Sequence, residues 1–254
     1  MDLELKGKRA LITGGNKGIG RAIADVLADE GCDLVLVARE QAALDKAAAE
    51  IRARRQVDVT VIAADLSSEE TIRKVAKEAG EVDILVNNAG AIPTGNLMQV
   101  DNDTWRKAWD LKVFGFISLS REIYPQMAKR KAGVIVNIIG GAGERHPSAY
   151  IAGAAGNAAL IGFTRSLARS AHADGIRVVG INPGAIATDR QEMMMRQRAE
   201  KQFGDAERWR DMYKNLPFGR AGTPVEIANT VAFFASPRSS YTSGTVISID
   251  GGRE

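Results

Sequence analysis

Three glycines set the first chemical possibility in this chain. In "LITGGNKGIGRAIADVLA", Gly14, Gly18 and Gly20 lie between an apolar run that ends at Thr13 and an amphipathic stretch. Glycine at such places permits a tight turn and a close approach of backbone to phosphate, and a helix starting there aims N–H groups and a positive dipole end at an anion. The strand before and the helix after supply the context such a loop needs. A second possibility lies in "GERHPSAYIAGAAGNAALIGF", residues 143–163, which holds one tyrosine, Tyr150, and no lysine. A phenol can act as an acid or base. Arg145 and His146 just upstream could face a carboxylate or a thioester phosphate, although a solvated loop is the plainer reading. The single Cys32 follows Gly31 at the head of an apolar run, which predicts a buried structural thiol and fits a reducing compartment.

Elements that could position these groups are legible in the hydrophobic pattern. Short apolar runs rich in β-branched residues occur at 9–14, 33–38, 59–64, 82–87, 133–139, 176–182 and 245–250, each reading as a strand buried on both faces. Helical patterns lie between them, at 18–29, 41–54, 69–77, 102–129, 148–173 and 224–235. This alternation predicts an α/β fold: one Rossmann-like domain over residues 1–254, a doubly wound parallel sheet of about seven strands with helices on both faces. Residues 189–222 break the rhythm. They carry no strand signal and include Met193, Met194, Met195, Trp209, Tyr213 and Phe218 among eight basic and six acidic side chains. A long insertion after a strand's C-terminal end is expected to form a mobile, partly helical lid; the alternative is a helical hairpin packed on the body.

Charge and hydropathy exclude several functions. With 34 basic and 31 acidic residues the net charge is +3, and no run reaches five like charges, which gives nucleic-acid binding little support. No apolar run approaches a membrane span, and "MDLELKGKR" leads into "ALIT" without a signal-type apolar region, so a cytoplasmic location is expected.

The spacing from Thr13 to Gly20, T-G-x-x-x-G-x-G, resembles the short-chain dehydrogenase/reductase family. Further landmarks of that family follow in order: "NNAG" at 87–90, "NPGAIAT" at 182–188 and "GTVISIDGG" at 244–252. The resemblance spans essentially the whole chain. It implies that Gly14, Asn16, Lys17, Gly18, Ile19 and Gly20 cradle the pyrophosphate and adenosine ribose of a dinucleotide. It further implies that Asp65 and Leu66 flank adenine, that Asn87, Ala89 and Gly90 line the ribose side, and that Pro183, Gly184, Ile186 and Thr188 hold the nicotinamide. The plain alternatives are that Asp65 caps the following helix and that Asn87 bridges strands. A homotetramer with helices 102–129 and 148–173 in one interface is implied too, and no metal.

Charge discriminates between the dinucleotides. An acidic residue closing the second strand would accept a bond from a ribose 2′-OH and repel a 2′-phosphate, but here Ala38 is followed by Arg39. With Lys17, Arg39 can converge on a 2′-phosphate through charge-assisted bonds, so NADP(H) is favoured and NAD(H) remains open.

At the active site the chain departs from the family. The resemblance implies a Ser and a Tyr on the substrate oxygen, a Lys four residues after the Tyr, and an Asn on the preceding long helix. The run "NAALIGFTRSLA" from Asn157 matches the segment beginning at the Lys. That register puts Gly153 at the Tyr position, Asn157 at the Lys, Gly140 at the Ser and Lys112 at the Asn. The expected catalytic set is then Tyr150, Lys112 and Asn157. Tyr150, three residues before Gly153, would take over the acid role, Lys112 would favour its phenolate, and Asn157 would orient the lysine or a water. Alternatives are an aromatic packed under the lid for Tyr150 and a structural ion pair for Lys112.

These features predict an NAD(P)(H)-dependent oxidoreductase interconverting a carbonyl and an alcohol on a small molecule, bulky or anionic. The competing readings are a non-redox nucleotide-binding protein, a sensor or assembly partner, and a lyase or isomerase on the same scaffold.

Overall fold

The computed structural model describes residues 1–252; the expected C-terminal limit at 254 lies outside them. Seven strands form one parallel sheet: β1 (Arg9–Thr13), β2 (Asp33–Ala38), β3 (Val59–Ala63), β4 (Ile84–Asn87), β5 (Gly133–Ile138), β6 (Ile176–Pro183) and β7 (Val246–Ile249), in the order β3-β2-β1-β4-β5-β6-β7. Because strand side chains alternate, each strand feeds two cores. Ala10, Ile12, Leu34, Leu36 and Val136 join α1 (Gly18–Asp29), α2 (Gln41–Arg52) and α9 (Pro224–Ala235) on one face. Leu11, Val35, Leu85 and Ile135 join α3 (Glu69–Ala79), α5 (Gly115–Arg130) and α7 (Ile151–Ala171) on the other. The chain therefore has the predicted doubly wound architecture. β2 and β4 flank β1, so the sheet changes direction at the C-terminal ends of β1 and β4, where such folds open a crevice for ligands.

Two helices differ from the sequence expectation. The helix expected at 102–129 is interrupted: α4 (Asn102–Trp109) runs into a π-turn, Asp110–Phe114, before α5. π-Bulges widen a helix locally and recur at functional sites, and this one carries Lys112. The helix expected to start at 148 starts at Ile151, which leaves Tyr150 as its N-cap residue with φ −143° and ψ 42°. Residues 189–222 form α8 (Asp189–Phe203) followed by 3-10 turns at Ala206–Asn215 and Pro217–Gly219. Within this segment Met195, Ala199 and Trp209 are buried together, with Met194, Phe203, Met212 and Tyr213 around them. Of the three consecutive methionines only Met195 is buried, while Met193 is exposed.

Cys32 is fully buried, its thiol pushed up to about 12 by burial first and by nearby carboxylates second. That is the structural thiol expected. Among the described residues no helix is long and apolar enough to cross a membrane.

Candidate active site

The phosphate loop is held to the sheet by Thr13 and Asn88. Thr13 Oγ1 accepts from the backbone N–H groups of Asn88 and Ala89 at 2.8 and 2.9 Å, and Asn88 Nδ2 donates to the Thr13 carbonyl at 2.8 Å. Asn88 thus fixes the loop, a role that sequence reasoning missed although the residue stands inside "NNAG". The glycines leave a cradle too tight for side chains. A Cβ at Gly20 would lie 2.2 Å from the Gly14 carbonyl oxygen and 2.6 Å from Asn88 Nδ2. α1 begins with no side-chain cap and no acidic residue in its first turn, so its first N–H groups remain free for an anion and no carboxylate opposes one. Lys17 and Arg39 are exposed and form no ion pair among the described residues. These features fit a dinucleotide phosphate.

Other residues expected around the cofactor divide by burial. Asn87 is buried and its Nδ2 donates to Ser120 Oγ and Asn137 Oδ1 at 3.0 and 2.9 Å, so its side chain bridges strands and cannot line a ribose pocket. This is the strand-bridging role considered for it, and it leaves the Asn87 backbone to face a ligand. Leu66 and Ile186 are likewise core side chains, at 4% exposure each, which leaves only their backbones to face a ligand. Asp65 is exposed and accepts from Ser67 N at 3.0 Å; the cap position of α3 falls to Ser68. Asn16, Ile19, Ala89 and Gly184 are half-buried at the sheet's C-terminal edge, and Gly90 is exposed there. Thr188 caps α8, accepting from Gln191 N at 3.3 Å, and its methyl would lie 3.5 Å from a Cβ at Gly18. The start of the insertion therefore closes over the phosphate loop.

Beside this cradle lies a cavity of about 870 Å³ lined by Gly90, Lys112, Gly140, Tyr150, Asn157 and Pro183, with one face of α8 opposite. The three expected catalytic side chains, distant in sequence, are brought to this one cavity. Each packs against a glycine. A Cβ at Gly153 would lie 2.0 Å from Tyr150 Cζ, one at Gly90 would lie 2.2 Å from Lys112 Cδ, and one at Gly140 would lie 2.7 Å from Asn157 Nδ2. The Tyr150 ring reaches Gly153 because an N-cap side chain naturally meets the third residue of its helix. Its backbone is pinned by Gly95, whose N–H donates to the Ala149 carbonyl at 2.8 Å and whose carbonyl accepts from Ile151 N at 3.2 Å. Gly140 has φ +137°, a conformation L side chains rarely adopt.

Lys112 does not play the expected electrostatic part. Its Nζ donates to the Ile138 carbonyl at 2.6 Å and lies over the Phe116 ring at 4.4 Å, with no carboxylate paired to it among the described residues. The structural ion pair considered for it is absent as well. Burial first, and Arg190 second, lower its pKa from 10.5 to about 7. Burial raises Tyr150, and the cation that partly offsets this is Arg190, not Lys112. Arg190, which donates to the Ile92 carbonyl at 2.8 Å, escaped sequence reasoning because it sits in a segment without strand signal. Asn157 is only 4% exposed, lines the cavity, and its amide has no hydrogen-bond partner among the described residues. Arg145 lines the cavity too but pairs with Asp250 at 3.1 Å, whereas His146 is exposed and closes a short helix, α6 (Ala142–Arg145), in the left-handed conformation.

The family described as "Enoyl-(Acyl carrier protein) reductase" matches residues 14–254. The chain is 34% identical over 256 residues to the 3-oxoacyl-(acyl-carrier-protein) reductase FabG of Vibrio harveyi, covering 98% of each. It is 37% identical over 253 residues to a galactitol 2-dehydrogenase (L-tagatose-forming) of Cereibacter sphaeroides, covering 98% of this chain and 95% of that one. The fold superposes on the L-sorbose reductase of Gluconobacter frateurii, solved with NADPH and L-sorbose, with a TM-score of 0.94 and 32% identity over 99% of this chain and 98% of the other. With the phosphate cradle, the switch-point crevice and near full-length similarity to reductases and a dehydrogenase, the chain belongs to the short-chain dehydrogenase/reductase family.

Proposed function

We propose that the protein is an NADP(H)-dependent oxidoreductase that interconverts a carbonyl and an alcohol through acid–base groups other than the family's usual four. The observation that carries this reading is the Tyr150 ring seated on Gly153, which returns a phenol to the place where the register leaves no side chain. Gly140, Gly153, Lys112 and Asn157 stand at the Ser, Tyr, Asn and Lys positions, yet a phenol, an amine and an amide still converge on one cavity.

The cofactor's phosphates and ribose would be held by Gly14, Asn16, Lys17, Gly18, Ile19 and Gly20. Asp65 and the Leu66 backbone would lie at adenine, Arg39 at the 2′-phosphate, and Ala89, Gly90, Pro183, Gly184, the Ile186 backbone and Thr188 along the rest. Asn87 supports this surface from beneath. When bound, NADP(H) supplies or accepts the hydride. Tyr150, a protonated phenol at neutral pH whose pKa burial raises further, gives its proton to the substrate oxygen, a step worth about 10²- to 10⁴-fold. Arg190 stabilises the resulting phenolate, and the Lys112 ammonium and Asn157 amide offer hydrogen bonds to the oxygen as charge develops on it. The cavity, about 870 Å³, is within the range that holds a drug-sized ligand. The insertion 189–222 acts as its lid. We also place the protein in the cytoplasm as a homotetramer, associating through the helical stretches 102–129 and 148–173, the first of which carries the half-exposed Phe114 in its π-turn.

NADPH titration followed by a ketone and aldehyde panel tests the reading. Binding of NADPH with turnover on a member of the panel supports it. Tight binding with no turnover on any member favours the non-redox nucleotide-binding alternative.

A further inference from the structure

The cavity wall carries charge of one sign. Lys112, Arg145, Arg190, Arg198 and Lys201 line it, and no Asp or Glu does among the described residues. Three of these cations come from a single face of α8. Positions 190, 194, 197, 198 and 201 follow the three- and four-residue spacing that gathers side chains on one side of a helix, so Arg190, Met194, Gln197, Arg198 and Lys201 form a strip along the cavity. The acidic residues nearby either pair elsewhere or, like the exposed Asp189 and Glu200, lie off the cavity lining. Glu192 and Glu207 both take Arg196, and Asp211 takes Arg208 and Lys214. Arg145 has Asp250, whereas Arg198 and Lys201 have no ion-pair partner among the described residues. Arg190 stands at the inner end near Tyr150 and Lys112. Arg198 lies eight residues further on, about 12 Å along the helix axis.

We propose that the substrate is an extended oxo or hydroxy compound with a carboxylate or phosphate at the end remote from the reacting carbon, bound there by Arg198 and Lys201. This rests on the oxidoreductase reading above. A merely solvated helix face would mix both signs, as the other faces of α8 do; a cleft lined by one sign focuses its field and concentrates counter-charged ligands. Arginine's planar fork matches either oxyanion with paired hydrogen bonds. Arg190, at the inner end, adds to the attraction while serving the reacting groups.

The test uses the full chain saturated with NADPH and two matched pairs of ketones: 9-oxodecanoate against its methyl ester, and 5-oxohexyl phosphate against 6-hydroxyhexan-2-one. Affinity is measured by calorimetry and turnover by NADPH absorbance, in the parent and in the Arg198→Gln, Lys201→Gln double variant, whose altered side chains are exposed. The charged member of at least one pair is expected to bind about tenfold or more tightly, with KM lower to match; the favoured pair says whether carboxylate or phosphate is read. The double variant should erase the difference while leaving the neutral member's affinity and kcat unchanged. Equal affinity within both pairs, no binding by any probe, or a preference that survives the double substitution overturns the proposal. A preference lost in the variant without turnover of any probe upholds the anion seat and counts against the redox reading, so the two failures are distinguishable.

Discussion

The Tyr150 ring rests on the bare α-carbon of Gly153: a β-carbon there would fall 2.0 Å from both Cε1 and Cζ of the phenol. Contacts that short do not occur, so any side chain at 153 must expel the ring. Gly153→Ala is therefore expected to lower turnover about as much as Tyr150→Phe, by about 10²-fold or more, with NADPH affinity nearly unchanged in both. Steady-state kinetics beside nucleotide titration checks this. Full activity in Tyr150→Phe on an identified substrate would remove the phenol from the mechanism.

Lys112 links protonation to stability. Its pKa is lowered in the fold from 10.5 to about 7 by burial first and Arg190 second. Between those values the unfolded chain holds a proton that the folded chain has released, so stability rises with pH across the window. The cost of the buried ammonium is fully present below about pH 7 and gone above about pH 10.5. At about 1.4 kcal/mol per unit this cost is on the order of 3 to 5 kcal/mol. Lys112→Met should thus raise the melting temperature at about pH 6 and give little gain at about pH 10. Thermal melts across that range decide it; a variant less stable than the parent at about pH 6 would mean the Ile138 carbonyl bond outweighs desolvation.

Arg39 follows β2 directly and is exposed, with Glu40 beside it and no ion pair among the described residues. NADPH is expected to bind more tightly than NADH, and Arg39→Asp to reverse the order by substituting a 2′-OH acceptor for a 2′-phosphate partner. Fluorescence titration with both nucleotides measures it. Equal affinities in the parent would contradict the charge argument.

The hairpin of residues 189–222 has its own small core of Met195, Ala199 and Trp209, set apart from the two large cores that flank the sheet. Few apolar contacts join it to the body, which places it at the low-stability end of the molecule. Its amides are expected to exchange faster than those of β1 and β4 in the free protein and to slow on addition of NADPH and substrate. Hydrogen exchange reads both. Uniform slow exchange in the free protein would make the hairpin a fixed wall and not a lid.

Much of the molecule follows from local pattern. Seven β-branched runs alternating with amphipathic stretches specify a parallel sheet covered on both faces, because each strand must bury both its faces and each helix one. The glycine spacing between β1 and α1 specifies the phosphate cradle, because Gly20 admits no β-carbon against the Gly14 carbonyl. Tertiary structure decided what pattern cannot carry. The π-turn that presents Lys112, the choice of the Ile138 carbonyl over a carboxylate or Tyr150 as its partner, and the approach of Arg190 depend on where separate elements pack. So do the pairings of Tyr150 with Gly153, Lys112 with Gly90 and Asn157 with Gly140: a glycine is visible in the sequence, but which side chain fills the space it leaves is fixed only when the helices close over the sheet.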